Sequence, residues 1–97
     1  MQTQQPSPTT AGALDINGQE AAKIIRREYR KLLLVYKIYQ EACAAGVPDA
    51  PFLQWTNQLD LLESMLGEFQ RHWGVEALTV LDRELKNMED ESLREAA

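Results

Sequence analysis

The sequence predicts an all-α protein built on an antiparallel helical hairpin with a coiled-coil-like seam, and three observations predict it. Residues 18–45 contain no proline and are dominated by Ala, Leu, Glu, Gln, Lys and Arg, the strong helix formers. Within them Ala22, Ile25, Tyr29, Leu32, Tyr36, Tyr39 and Cys43 recur at spacings of three and four, an a/d seam along one helix face. After a short loop the pattern resumes with Phe52, Trp55, Leu59, Leu62, Leu66, Phe69 and Trp73 at the same spacings. Two seams of equal length joined by a tight turn bury each other most simply by folding back as an antiparallel pair crossing near about 20°.

Taken in order, residues 1–17 read as a flexible tail. They hold Pro6, Pro8 and Gly12, and only Leu14 and Ile16 as large aliphatic side chains beyond Met1, too little apolar area to offset the entropy of ordering. One helical domain is expected over 18–97, with helices at about 18–45, 51–73 and 75–90. Asn17 is the expected N-cap of the first, with Glu20 three residues on to complete a capping-box arrangement. Gly46 suits the residue just past its end, and Pro48 and Pro51 bar continuation. Asp49 can cap the second helix, and Pro51 fits a first turn, where no amide donor is needed. Gly74 is the expected end of the second helix. Beyond it Leu78, Leu81, Leu85 and Met88 form a third, shorter seam that does not continue the register of the second, so the expectation is a turn that packs a third helix on the hairpin, with a second helix running on through a kink as the alternative. Glu89, Asp90 and Glu91 lie where a helix dipole disfavours negative charge, and the last eight residues are expected to fray.

The net charge of −5 is unevenly spread. Residues 20–40 carry Lys23, Arg26, Arg27, Arg30, Lys31 and Lys37 against Glu20 and Glu28, whereas residues 41–97 carry four basic against twelve acidic side chains. A basic first helix laid against acidic later ones is the simplest reading of that asymmetry. The longest apolar run, Leu32 to Tyr36, is far too short to span a membrane. The N-terminus has no basic start and apolar stretch of the signal-peptide kind, and Cys43 has no second cysteine to pair with, so a reducing, cytoplasmic setting is expected. Cys43, on the seam, reads as a small buried apolar residue.

Residues with the chemistry for catalysis do not assemble on this pattern. Cys43 and His72 are one sulfur and one imidazole with no further ligand at helical spacing, short of a zinc site. Ser64 lies inside a helix with no glycine-framed elbow, and the carboxylates are spaced as surface charges. With a single histidine, the Glu-x-x-His pairs of a di-iron bundle cannot be built. No catalytic site, cofactor or metal is therefore expected.

The informative anomaly is the apolar surplus on the first helix. Ile24, Leu33, Leu34, Val35 and Ile38 lie off the seam, and from Leu32 to Tyr39 the helix is apolar nearly all round, more than one hairpin partner can cover. Leu61 and Met65 repeat the theme on the second helix. The expectation is a non-catalytic protein-binding protein, a small adaptor, inhibitor or chaperone-like regulator. It would use an apolar hairpin face, with Tyr29, Leu33, Leu34, Tyr36, Ile38, Trp55, Leu61, Met65 and Trp73 as partner-binding residues and a second copy as the natural first partner. The alternative is a nucleic-acid-associated regulator using the band of Lys23, Arg26, Arg27, Arg30, Lys31 and Lys37. Overall acidity and the absence of interleaved aromatic or asparagine side chains weigh against it.

Overall fold

A computed structural model of the chain describes residues 14–96, so the tail expected over 1–17 lies outside the described residues up to position 13. Two helices account for almost all of the rest, α1 over Ile16–Ala45 and α2 over Asp49–Ala96, and among the described residues there is no strand.

The start of α1 differs from expectation. Asp15, not Asn17, is the N-cap: its Oδ1 accepts from the amide of Gly18, three residues on, at 2.7 Å, which is the capping geometry that satisfies a first-turn donor. The helix therefore begins two residues earlier than the 18–45 span. At the other end the Gly46 amide donates to the Cys43 carbonyl and the Val47 amide to the Ala42 carbonyl, a Schellman closure with Gly46 in the left-handed region. Asp49 lies inside the first turn of α2 rather than capping it, where its charge complements the helix dipole.

Contacts between the helices give the chain direction. Tyr39 meets Phe52, Tyr36 meets Trp55, Gln58 reaches Glu28 and Trp73 reaches Asp15. Positions rise along α2 as they fall along α1, the signature of an antiparallel pair. Gly74 then leaves helical space at φ 94° and ψ 169°, a region essentially closed to residues with a Cβ. Past it the contacts run the other way: Arg26 pairs with Glu84 and Tyr29 with Glu89, so residues 75–96 lie alongside α1 in parallel. A straight helix of 48 residues would be about 72 Å long, and the longest dimension of the molecule is 63 Å.

Residues 75–90 do not stand as a separate third helix. The structure has two helices, the second interrupted at one residue, because helical geometry resumes on both sides of Gly74 with no loop between. The helix also runs on to Ala96 instead of fraying after residue 90. The acidic run there is met by α1, Tyr29 donating to Glu89 Oε1 at 3.3 Å.

The core draws on three stretches of chain: Ala22, Ile25, Leu32 and Val35 from α1, Leu62 and Phe69 from residues 49–73, and Ala77, Leu81 and Leu85 from residues 75–96. The seams predict most of these, but their outer ends are not covered. Tyr36 is 40% and Phe52 46% exposed, and Cys43 is exposed rather than buried, since these positions sit near the hairpin tip, where little chain is left to pack over them.

At the opposite end, Gly18 permits a close approach. A Cβ there would lie 2.9 Å from Trp73 Nε1 and 3.0 Å from Leu14 Cβ. The Trp73 indole instead donates to Asp15 Oδ1 at 3.1 Å, so one carboxylate both caps α1 and holds the residue before the Gly74 reversal. Two outcomes are expected in chemical denaturation. Phe69→Ala, removing a side chain only 1% exposed, costs about 3–5 kcal/mol. Gly67→Ala, at a helical site with open space around it, stabilises by up to about 1 kcal/mol, while Gly18→Ala yields no such gain and shifts Trp73 fluorescence.

Candidate functional site

The outward side of α1 carries a second periodic set. Ile24, Arg27, Lys31, Leu34 and Ile38 follow one another at spacings of three and four and so share a helix face. Ile24 is 42% exposed, Leu34 59% and Ile38 39%. Their neighbours in sequence that do pack inward are accounted for: Leu32 and Val35 are in the core, and Leu33 is half-buried facing Met88 and Ser92 of the returning segment. Two members of the set are themselves exposed cations, Arg27 and Lys31, lying between Ile24 and Leu34, and exposed Lys23, Arg30 and Lys37 flank it.

The remaining expected partner-binding residues divide by location. Leu61 is exposed, and Met65 is half-buried on the adjoining edge of α2. Met65 shares with Ala21, Ile24, Phe69 and Trp73 a shallow apolar groove of about 290 Å³ between α1 and α2. Tyr36 and Trp55 belong to an aromatic cluster at the hairpin tip, with ring centroids 5.1 Å apart and Tyr39 stacked on Trp55 at 5.2 Å. Tyr29 and Trp73 are half-buried and engaged within the chain, by Glu89 and Asp15 respectively. The structure thus gathers Leu34 and Ile38 on one face and Leu61 and Met65 on the neighbouring one, and sets Tyr36 and Trp55 apart at the tip. Ile24 belongs with the first group and was legible as an off-seam isoleucine. Val47 and Leu53, exposed beside Phe52 at the tip, carried no periodic signal that would have marked them.

The basic band does not act as one unit. Arg26 forms an ion pair with Glu84 at 3.1 Å, and among the described residues it is the one cation of α1 paired with the acidic part of the chain. Lys31 pairs with Glu28 of its own helix, also at 3.1 Å. Both pairs are partly exposed and contribute little to stability. The expected packing of a basic helix against acidic ones is thus carried by a single ion pair among the described residues, while Arg30 and Lys37 line, with Glu91 and Glu95, a groove beside the returning segment.

Three ionisable groups among the described residues are displaced from their ordinary values, of which Tyr39 is raised, first by hydrogen bonding with Cys43 and then by burial. Glu28 is lowered, first by the hydrogen bond it accepts from Gln58 Nε2 at 2.9 Å and then by Lys31. Gln58 Nε2 also donates to the Glu28 backbone carbonyl at 2.9 Å, tying α2 to α1 in mid-hairpin. Tyr29 is pushed up to about 12, by burial first and then by the charge of Glu89. Ser64, Glu68 and His72 follow at one-turn intervals on α2, with Glu68 contacting both Arg71 and, at 3.7 Å, His72. The carboxylate stands between the other two, and two helical turns place His72 about 12 Å from Ser64, too far to take a proton from its hydroxyl. No group of three or more potential metal ligands occurs among the described residues, and no described helix is long and apolar enough to cross a membrane. Comparison with protein-family models, curated proteins and solved structures found no match.

Tyr29 gives a pH dependence with a defined sign. Its phenol keeps its proton in the folded chain to higher pH than in the unfolded one, so the folded state gains from it below pH about 10 and loses that gain as pH rises towards about 12. Stability is expected to fall across that window, and Tyr29→Phe should flatten the fall. Denaturation midpoints read at several alkaline pH values, with tyrosinate absorbance followed in parallel, test this.

Proposed function

We propose that this chain is a non-catalytic protein-binding protein, an adaptor, inhibitor or chaperone-like regulator that docks through the outward face of α1 and forms a homodimer there. The observation that carries the reading is the exposed stripe of Ile24, Leu34 and Ile38, left open after α2 has covered two other sides of the same helix. Leu34 and Ile38 adjoin on this face and Arg27 and Lys31 separate them from Ile24, a mixture of aliphatic and charged side chains that suits a protein interface. The five exposed cations favour a surface with acidic side chains, and the chain supplies such surfaces itself, at Asp60 and Glu63 on α2. Nucleic acid remains the weaker reading: the stripe interrupts the cations with aliphatic side chains, which neither read base edges nor stack. The reading sets the chain in the cytoplasm, where the exposed Cys43 thiol stays reduced.

The double variant Leu34→Asp with Ile38→Asp should abolish the assembly while far-UV circular dichroism stays that of the wild type, because both side chains are surface groups in the single chain. Size-exclusion with light scattering reads the outcome. An unchanged assembly in the variant, or a wild type that is monomeric throughout, overturns the proposal. Raising salt separates the alternative, since contacts to phosphate weaken steeply and an apolar interface does not.

A further inference from the structure

Gly74 joins two lengths of helix that are otherwise continuous in sequence and in backbone geometry, and it does so alone. Residues on either side hold helical dihedrals, and inside Asp49–Ala96 only Gly74 departs from them. Any reversal leaves helix ends, with up to four amides and four carbonyls lacking helical partners. Gly74 itself has no side chain to cap the restart, and Thr79 Oγ1, a turn further on, donates to the Val75 carbonyl four residues back. Returning Gly74 to helical dihedrals would restore those backbone bonds and make α2 one straight rod of about 72 Å.

We infer that Gly74 is a hinge, and that the groove along α1 filled by residues 75–96 accepts the same segment from a second copy, giving a domain-swapped dimer. The occupant is dictated by identity. Ala77, Leu81 and Leu85 pack with Ala22, Ile25 and their neighbours in the single chain, and the same contacts form between chains when two rods are exchanged. The Arg26–Glu84 pair and the Tyr29–Glu89 hydrogen bond are likewise remade across the dimer. What the closed chain gains by packing is therefore regained in full, and the balance reduces to the hinge residue, the cost of association and whatever the crossing rods add. Val75, 62% exposed at the bend, is an apolar side chain placed where two such rods would cross. Short connections between elements favour this exchange for the same reason. The inference uses the core groove, whose Ala22, Ile25, Ala77, Leu81 and Leu85 are not part of the outward face of α1, although Leu34 of that face also borders the returning segment at Met88 and Glu91.

The test uses the full chain carrying Leu34→Asp and Ile38→Asp, which disables that outward face, with and without Gly74→Ala. Alanine is strained in the conformation Gly74 adopts and comfortable in a helix, so the swapped form should be favoured by about ten- to a hundredfold per chain. The expected result is a stable elongated dimer on light scattering and small-angle scattering. In a sample mixed from labelled and unlabelled chains after co-refolding, isotope-filtered nuclear Overhauser effects should join Tyr29 of one chain to Glu89 of another. A Gly-Gly-Ser insertion after Gly74 should restore the monomer. A folded monomeric Gly74→Ala variant, or a dimer whose Tyr29–Glu89 contact stays within one chain, overturns the inference. Should the alanine variant fail to fold, the Leu34→Asp, Ile38→Asp chain refolded at high concentration decides: the interchain contact supports the hinge, and a monomer alone overturns it.

Discussion

The structure depends on one helix being apolar over more of its circumference than any single neighbour can cover. Residues 22–39 of α1 carry core side chains on one side, Ala22, Ile25 and Leu32, and additional aliphatics at Leu33, Val35, Leu34 and Ile38. Each of the other pieces of chain takes a sector. Residues 49–73 lie along α1 in the antiparallel sense, residues 75–96 in the parallel sense, and both share Leu62, Phe69, Leu81 and Leu85 with it in one core. The reversal at Gly74 follows from this demand: a straight α2 would cover one sector and leave the other in water. Burying Leu81 and Leu85 is worth several kcal/mol at roughly 1.5–3 each, with Ala77 adding less, which works against the cost of interrupting the helix ladder.

How much of this could be read from the residues depends on whether the signal is periodic or tertiary. The three-and-four spacing identified Ile25, Leu32, Leu62, Phe69, Leu81 and Leu85, all of them core, because burial on a helix repeats with the helix. The same rule misplaced Tyr36, Cys43 and Phe52. Periodicity states which face a residue shares and is silent on where along that face the cover ends. Gly74 was legible as a break, since its register change and lack of a following cap are local facts. The helix beyond it runs to Ala96 because Tyr29 meets the acidic run from another helix, which no local rule contains. The same holds for Asp15. An Asp-x-x-Gly start is a weaker cap signature than Asn17 with Glu20, and what favours Asp15 is a second donor, the Trp73 indole, arriving from far along the chain.

The candidate surface was legible for a related reason. Leu34 and Ile38 were recognisable as surplus because the seam had already assigned its own positions, and both are exposed once α2 is in place. Tyr29 and Trp73 could not be separated from them by composition, as amphipathic aromatic side chains suit an interface and a core edge equally well. Their hydroxyl and indole donors found partners within the chain, Glu89 and Asp15, which draws both inward.

The arrangement of charge narrows what the open face can accept. Arg26 pairs with Glu84 of the returning segment, which leaves that part of α1 close to neutral. Lys23, Arg27, Arg30 and Lys37 are exposed, Arg30 and Lys37 along the groove that Glu91 and Glu95 also line, and they neighbour side chains that gain from contact only when water is removed. Desolvating the stripe brings those ammonium and guanidinium groups to the rim, where a phosphate backbone would satisfy them but would leave Leu34 and Ile38 against a charged, hydrated polymer. An amphipathic protein surface satisfies both demands at once, with aliphatic side chains on the stripe and carboxylates at its edge. On the proposed reading the face takes a protein rather than nucleic acid, on the same principle of sector-by-sector coverage that shapes the rest of the chain.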